Sequence, residues 1–156
     1  MKKDKGMKRR KVFPSQRVER ILLAFIVLFW TSLAQAQSLL KIPLYINDKE
    51  FWVEVAKTQE ERTRGLMGRK HLGQDEGMFF IFETEDYHGF WMKGTLIPLS
   101  IAFIDREGRI VKITDMKPLT LESHNPPAPI LYALEMRKGW FSTHGIKVGD
   151  TVRFSK

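Results

Sequence analysis

The chain has 156 residues, a length that favours one domain, with 43% hydrophobic residues, no cysteine and a formal charge of +8. That charge would suit a phosphate backbone, but residues 1–36 hold nine Lys or Arg against only Asp4 and Glu19, leaving 17 basic and 16 acidic residues in 37–156. A nearly balanced domain lacks the basic footprint of nucleic-acid binding, and the absence of cysteine excludes disulfides, cysteine redox chemistry and a lipidated-cysteine anchor.

Residues 1–20 form a basic segment, residues 21–33 an apolar run broken only by Thr31 and Ser32, and Ala34, Gln35 and Ala36 a small-residue cleavage site. This three-part order predicts a secretory signal peptide over residues 1–36, removed after Ala36. The apolar run is shorter than the roughly 20 residues a spanning helix needs. Left uncleaved, the same segment would be a membrane anchor with its basic end held inside. The expectation is a single globular domain over 37–156 in the periplasm or outside the cell, touching membrane only through the signal segment before cleavage. Without disulfides its stability must come from packing.

Along the mature chain, residues 39–46 and 51–56 have strand character around the turn pair Asn47-Asp48 and predict a hairpin, with Phe51, Val53 and Val55 on one face and Trp52 and Glu54 on the other. Thr58 with Glu61 makes a capping box, which starts a helix predicted over 59–67 and ended by Gly68. Arg62 and Arg69 lie beyond its first turn, where a cation either suits the helix dipole or is free to hold a ligand. Residues 78–82 are continuously apolar, as in a strand buried on both faces, and residues 83–88 are acidic and predicted to be exposed.

In residues 90–95 an extended backbone would place Trp91, Lys93 and Thr95 on one side and Phe90 and Met92 on the other. Such a side either stacks a flat or sugar-like ligand and holds an anion, or is a core tryptophan beside a snorkelling lysine. After Pro98, residues 99–104 and 109–114 alternate as two strands around the turn from Asp105 to Gly108. Residues 117–129 hold four of the seven prolines together with His124, a long loop of the kind used as a lid or binding loop. A strand over 130–136 carries Glu135, a helical turn is expected near residues 141–144, and a last strand covers 151–154.

The chain has no phosphate-cradling glycine loop, no paired histidines on a helix and no Gly-x-Ser-x-Gly elbow. Ser142 with His144, and Ser123 with His124, have the wrong spacing for a nucleophile and base on one side of an extended chain. Asp105 and Glu135, like Asp115 and Asp150, fall at strand ends or turns, where a carboxylate acts as acid or base or simply completes the turn. Met67, Met78, Met92, Met116 and Met136 with the histidines have copper-ligand chemistry but no dense spacing, so no metal and no cofactor is predicted.

The segments Gly65-Leu66-Met67 with Arg69, Gly77-Met78 with Phe80 and Phe82, Phe90-Trp91-Met92-Lys93 with Thr95, Pro98-Leu99, Phe103-Ile104-Asp105, Leu134-Glu135 with Gly139, and Gly145-Ile146-Lys147 with Gly149-Asp150 occur in an order that resembles a prokaryotic family, domain of unknown function 192. The resemblance covers most of residues 40–154. It implies an α+β, mainly β fold: a compact barrel-like single domain of short antiparallel strands with one or two short helices. It implies no established activity. Two positions depart from the family pattern, since Gly94 stands where Asn is usual and Ser100 where Asp is usual.

The functional expectation is an exported domain that binds a small ligand or a protein partner of the cell envelope beside Arg69, Trp91, Lys93 and Thr95, with the proline-rich loop as a flap. The alternatives are a hydrolase or lyase using Asp105 or Glu135 with Lys93, and a structural accessory of envelope assembly with no small-molecule site.

Overall fold

The computed structural model of the protein describes residues 39–154. The signal segment expected over 1–36 lies outside the described residues. In chain order the elements are β1 (Lys41–Ile46), β2 (Lys49–Ala56), α1 (Gln59–Arg64), β3 (Gly77–Asp86), β4 (Leu99–Ile104), β5 (Ile110–Met116), β6 (Ile130–Arg137), α2 (Trp140–Thr143) and β7 (Val152–Phe154). No helix among them is long and apolar enough to cross a membrane.

The strands form one seven-stranded sheet in the order β5-β4-β6-β3-β2-β1-β7. Neighbours are antiparallel except β2 and β3, whose crossover carries α1. The sheet curls until its two edges meet: Ile110 N–H donates to Asp150 O at 2.9 Å and Val152 N–H to Gly108 O at 2.8 Å. The fold is therefore mainly β and barrel-like, as the resemblance implied.

Curling gives the sheet two buried faces. Inside lie Leu44, Ile46, Phe51, Val53, Phe79, Ala102, Leu134 and Met136, plugged by Trp140 and Phe141 of α2. Outside, Met78, Phe80, Leu99, Ile101 and Phe103 are covered by Leu66, Leu72, Met92 and Ile97 from the segments after α1 and after β3. Every residue of β4 is buried, because this strand is central and covered on both sides.

Most local expectations hold. Asn47 and Asp48 have φ of 50° and 62°, the left-handed pair a tight hairpin turn needs, and Phe51, Val53 and Val55 are buried together. The capping box is complete: Thr58 accepts from Glu61 N–H, and the Glu61 carboxylate accepts from Thr58 N–H, which also holds that carboxyl below its ordinary value.

Two expectations are corrected. The helix ends at Arg64 rather than residue 67, because Gly65 takes φ 47° with ψ −134°, a conformation essentially restricted to glycine. The strand expected over 78–82 runs on to Asp86, so the acidic segment from Glu83, largely exposed as expected, belongs to it. Its half of β3 runs past the partner strands, pairing again only at Asp86 with Ile130, and so has solvent on its faces where charge is tolerated.

Candidate functional site

Strand register lays out one row of side chains on the outer face. Glu54 on β2 is opposite Met78 on β3, Met78 is opposite Glu135 on β6, and Glu135 is opposite Ile101 on β4. Two carboxyls thus lie two strand spacings apart, about 10 Å. Arg69, from the turn beyond α1, forms an ion pair with Glu54. Glu135 is 5% exposed and forms no hydrogen bond or ion pair with the described residues. Burial alone pushes its carboxyl up to about 8, so it is predominantly a neutral acid at pH 7.

Over Glu135 lies a cavity of about 500 Å³. One wall is α1 with the turn that follows it. This wall is fixed by Arg62, whose guanidinium donates to the carbonyls of Lys57 and Ile81, the latter at 3.0 Å, and lies over the Phe82 ring at 5.2 Å. A second wall is aromatic: Phe80 and Phe90 stand at 86° to one another, and Phe82 stacks on His88 with ring centroids 3.6 Å apart. Arg64 is exposed at the cavity and has no ion pair or side-chain hydrogen bond among the described residues.

The third wall comes from the segment after β3, where the structure differs from the alternation expected there. Thr95 N–H donates to Met92 O at 3.1 Å, closing a turn with Gly94 at φ 69°. Trp91 and Lys93 remain outside together, the ammonium 5.3 Å from the indole centre, but the turn rotates Thr95 inward, where it is 5% exposed. Thr95 and the half-exposed Trp91 therefore line the cavity, while Lys93 and Arg69 do not. A left-handed φ at position 94 is open to Asn as well as Gly, so the departure there meets a backbone requirement.

The other expected groups fall elsewhere. Asp105 accepts from Arg109 N–H at 2.7 Å and closes the β4–β5 turn, away from the cavity. Ser100 lies on the opposite face of the sheet from Glu135, donating to Asp115 at 2.6 Å and accepting from Gly139 N–H at 2.8 Å. It ties α2 to the sheet. Met78, Met92, Met116 and Met136 are core residues. The proline-rich loop is not a flap over the cavity, because no residue of it lines the space. Its backbone is stitched to the third wall by bonds between Phe90 and His124, Met92 and Thr120, and Leu119 and Thr95. Sequence reading missed Arg64 and the phenylalanine wall, and the one signal for Glu135 was a single acid inside an otherwise apolar strand.

The model of the family DUF192, domain of unknown function 192, described as "Uncharacterized ACR", matches residues 42–154. The chain belongs to this family. Solved structures share this fold. A protein of unknown function from Novosphingobium aromaticivorans DSM 12444 is 32% identical, with a TM-score of 0.71 over 76% of this chain and 89% of that one. A protein from Sinorhizobium meliloti 1021, provisionally described as a transcription regulator, is 28% identical, with a TM-score of 0.72 over 75% of this chain and 95% of that one. No curated protein matches the DUF192 chain.

Proposed function

We propose that the chain is an exported DUF192 domain that binds a small ligand in the cell envelope, in the cavity over Glu135. One observation carries this reading: a buried carboxyl and a buried threonine, neither with a side-chain partner among the described residues, line the same cavity with aromatic walls. Both groups face open space rather than packed atoms, so their hydrogen-bonding capacity is available to a molecule held between the aromatic walls. Export is supported by the leader pattern of residues 1–36, and the nearly balanced charge of 37–156 argues against nucleic acid as a partner.

The test is a thermal-shift and tryptophan-fluorescence screen of amines, sugars and carboxylates against the native chain and Glu135→Leu. A bound compound is expected to raise the melting temperature of the native chain and to lose its effect in the variant, which stays folded because leucine suits the apolar surroundings. If no compound affects the native chain, or if hits bind the variant equally, the reading fails.

A second reading is favoured by a different feature of the same residue. A carboxyl that keeps its proton at neutral pH within a cavity is poised as a general acid for a hydrolase or lyase. Turnover of any hit, abolished in Glu135→Gln, would move the conclusion from binding to catalysis.

A further inference from the structure

We infer that the cavity takes a small organic cation, its ammonium group seated against Glu135 and the Thr95 hydroxyl and its carbon body against the phenylalanine walls. The inference rests on the binding reading above and adds the class of ligand. Three observations support it.

The first is the chemistry of the floor. If the ligand were neutral, glutamine would hydrogen-bond it as well as glutamate and would never ionise in an apolar setting. An acid at this buried position is explained by a positive partner, which would turn a costly buried charge into a compensated pair. Thr95 lines the same cavity and adds a hydroxyl oxygen that can accept from the ammonium.

The second is the wall. Phe80 and Phe90 stand at 86° to one another and supply the apolar part of the lining, while the Phe82 ring is taken up by His88, stacked on it at 3.6 Å, and by the Arg62 guanidinium 5.2 Å from its centre. Ring faces carry negative quadrupole density and attract a cation while repelling an anion.

The third is the placement of the other charges. Arg62, Arg64, Glu83 and His88 are the remaining charged or titratable groups around the cavity. Arg62 is bound to backbone carbonyls of the α1 and β3 segments, while Arg64 and Glu83 are in solvent. His88 is stacked on Phe82 with Nε2 against the Thr84 carbonyl, and none of the four forms an ion pair or hydrogen bond with Glu135, whose raised proton affinity comes from burial.

The experiment uses the full chain with three probes of one shape: benzylamine, benzyl alcohol and benzoate. Titration calorimetry at pH 5, 6 and 7 is expected to show benzylamine binding in preference to the other two. Its affinity should rise about tenfold per pH unit, because Glu135 must release its proton to pair with the amine. In Glu135→Gln benzylamine binding should fall at least about tenfold and lose its pH dependence. The pH series on the native chain is a readout independent of any variant. Equal or tighter binding of benzyl alcohol or benzoate, or a flat pH series, overturns the cation assignment while leaving the cavity a binding site. Absence of benzylamine binding overturns the cation assignment, and the binding reading itself falls only if the wider screen also gives no hit.

Discussion

Glu54 and Glu135 make a natural pair for comparison. They lie in one row of the sheet, on one face, with Met78 between them. Glu54 keeps a 15% exposed side chain and is met by Arg69. Glu135 is more deeply buried and is met by nothing but a cavity. Neighbourhood, not residue type, makes one carboxyl a brace and leaves the other unpaired in a cavity. The turn after α1 supplies both halves of this contrast: Arg69 reaches back to Glu54, while Gly65, Leu66 and Met67 stop at the cavity wall.

The strongest way to break the contrast is through the backbone that carries Glu135. Gly77 begins β3 opposite Met136, and a Cβ there would lie 2.1 Å from Met136 Sδ and 2.4 Å from the Glu135 carbonyl oxygen. Backbone on one side cannot move without parting β3 from β6. Gly77→Ala is expected to destabilise the fold by about 3 kcal/mol in denaturant melts. Amide protection should fall in β6 before it falls in the β1–β2 hairpin, and an unchanged melt would mean that the two strands approach less closely than the structure has them.

A smaller effect isolates the unpaired carboxyl itself. Its folded value of about 8 lies above the ordinary 4.5, so between those values the folded state holds a proton that the unfolded state has released. The contribution to stability is full below the lower value and is lost as pH rises through the upper one. Between pH 5 and pH 7 the native chain should lose about 2 kcal/mol through this group, and Glu135→Gln should remove that loss. Parallel pH profiles for the two proteins would show that Glu135 is solvated and the cavity floor is wet.

Much of this frame was legible in the chain, for local reasons. The Asn47-Asp48 hairpin, the Thr58–Glu61 capping box and the Asp105–Gly108 turn are each decided by a few adjacent residues whose backbone preferences are strong. What was not legible depends on residues far apart in sequence. Periodicity could not show that β2 and β3 are parallel neighbours, nor that Glu54 and Glu135 share a row. Thr95 was misplaced because alternation was carried through a turn that Gly94 makes. The cavity gathers α1, β3, residues 88–95 and Glu135, and no spacing rule spans them. The lone acid in the run from Ile130 to Arg137 was the one visible trace of it, and Asp105, equally plausible by position, turned out to serve its own hairpin.

The smallest expected effect sharpens the other side of the pair. Arg69→Ala leaves Glu54 without its guanidinium on a face where only 15% of its side chain meets water, and should cost about 1 kcal/mol, since the arginine itself is one-third exposed and water replaces part of the lost contact. Glu54→Gln relieves the unpaired charge, so the double variant should lose less than the sum of the two single losses. The decisive readout is ligand response. Because Arg69 is occupied by Glu54 and does not line the cavity, Arg69→Ala should leave benzylamine binding within about twofold of the native chain, within the scatter of loosely coupled sites. A tenfold loss would make Arg69 part of the binding site after all, and the separation of brace from site would then be a matter of degree along one row of the sheet.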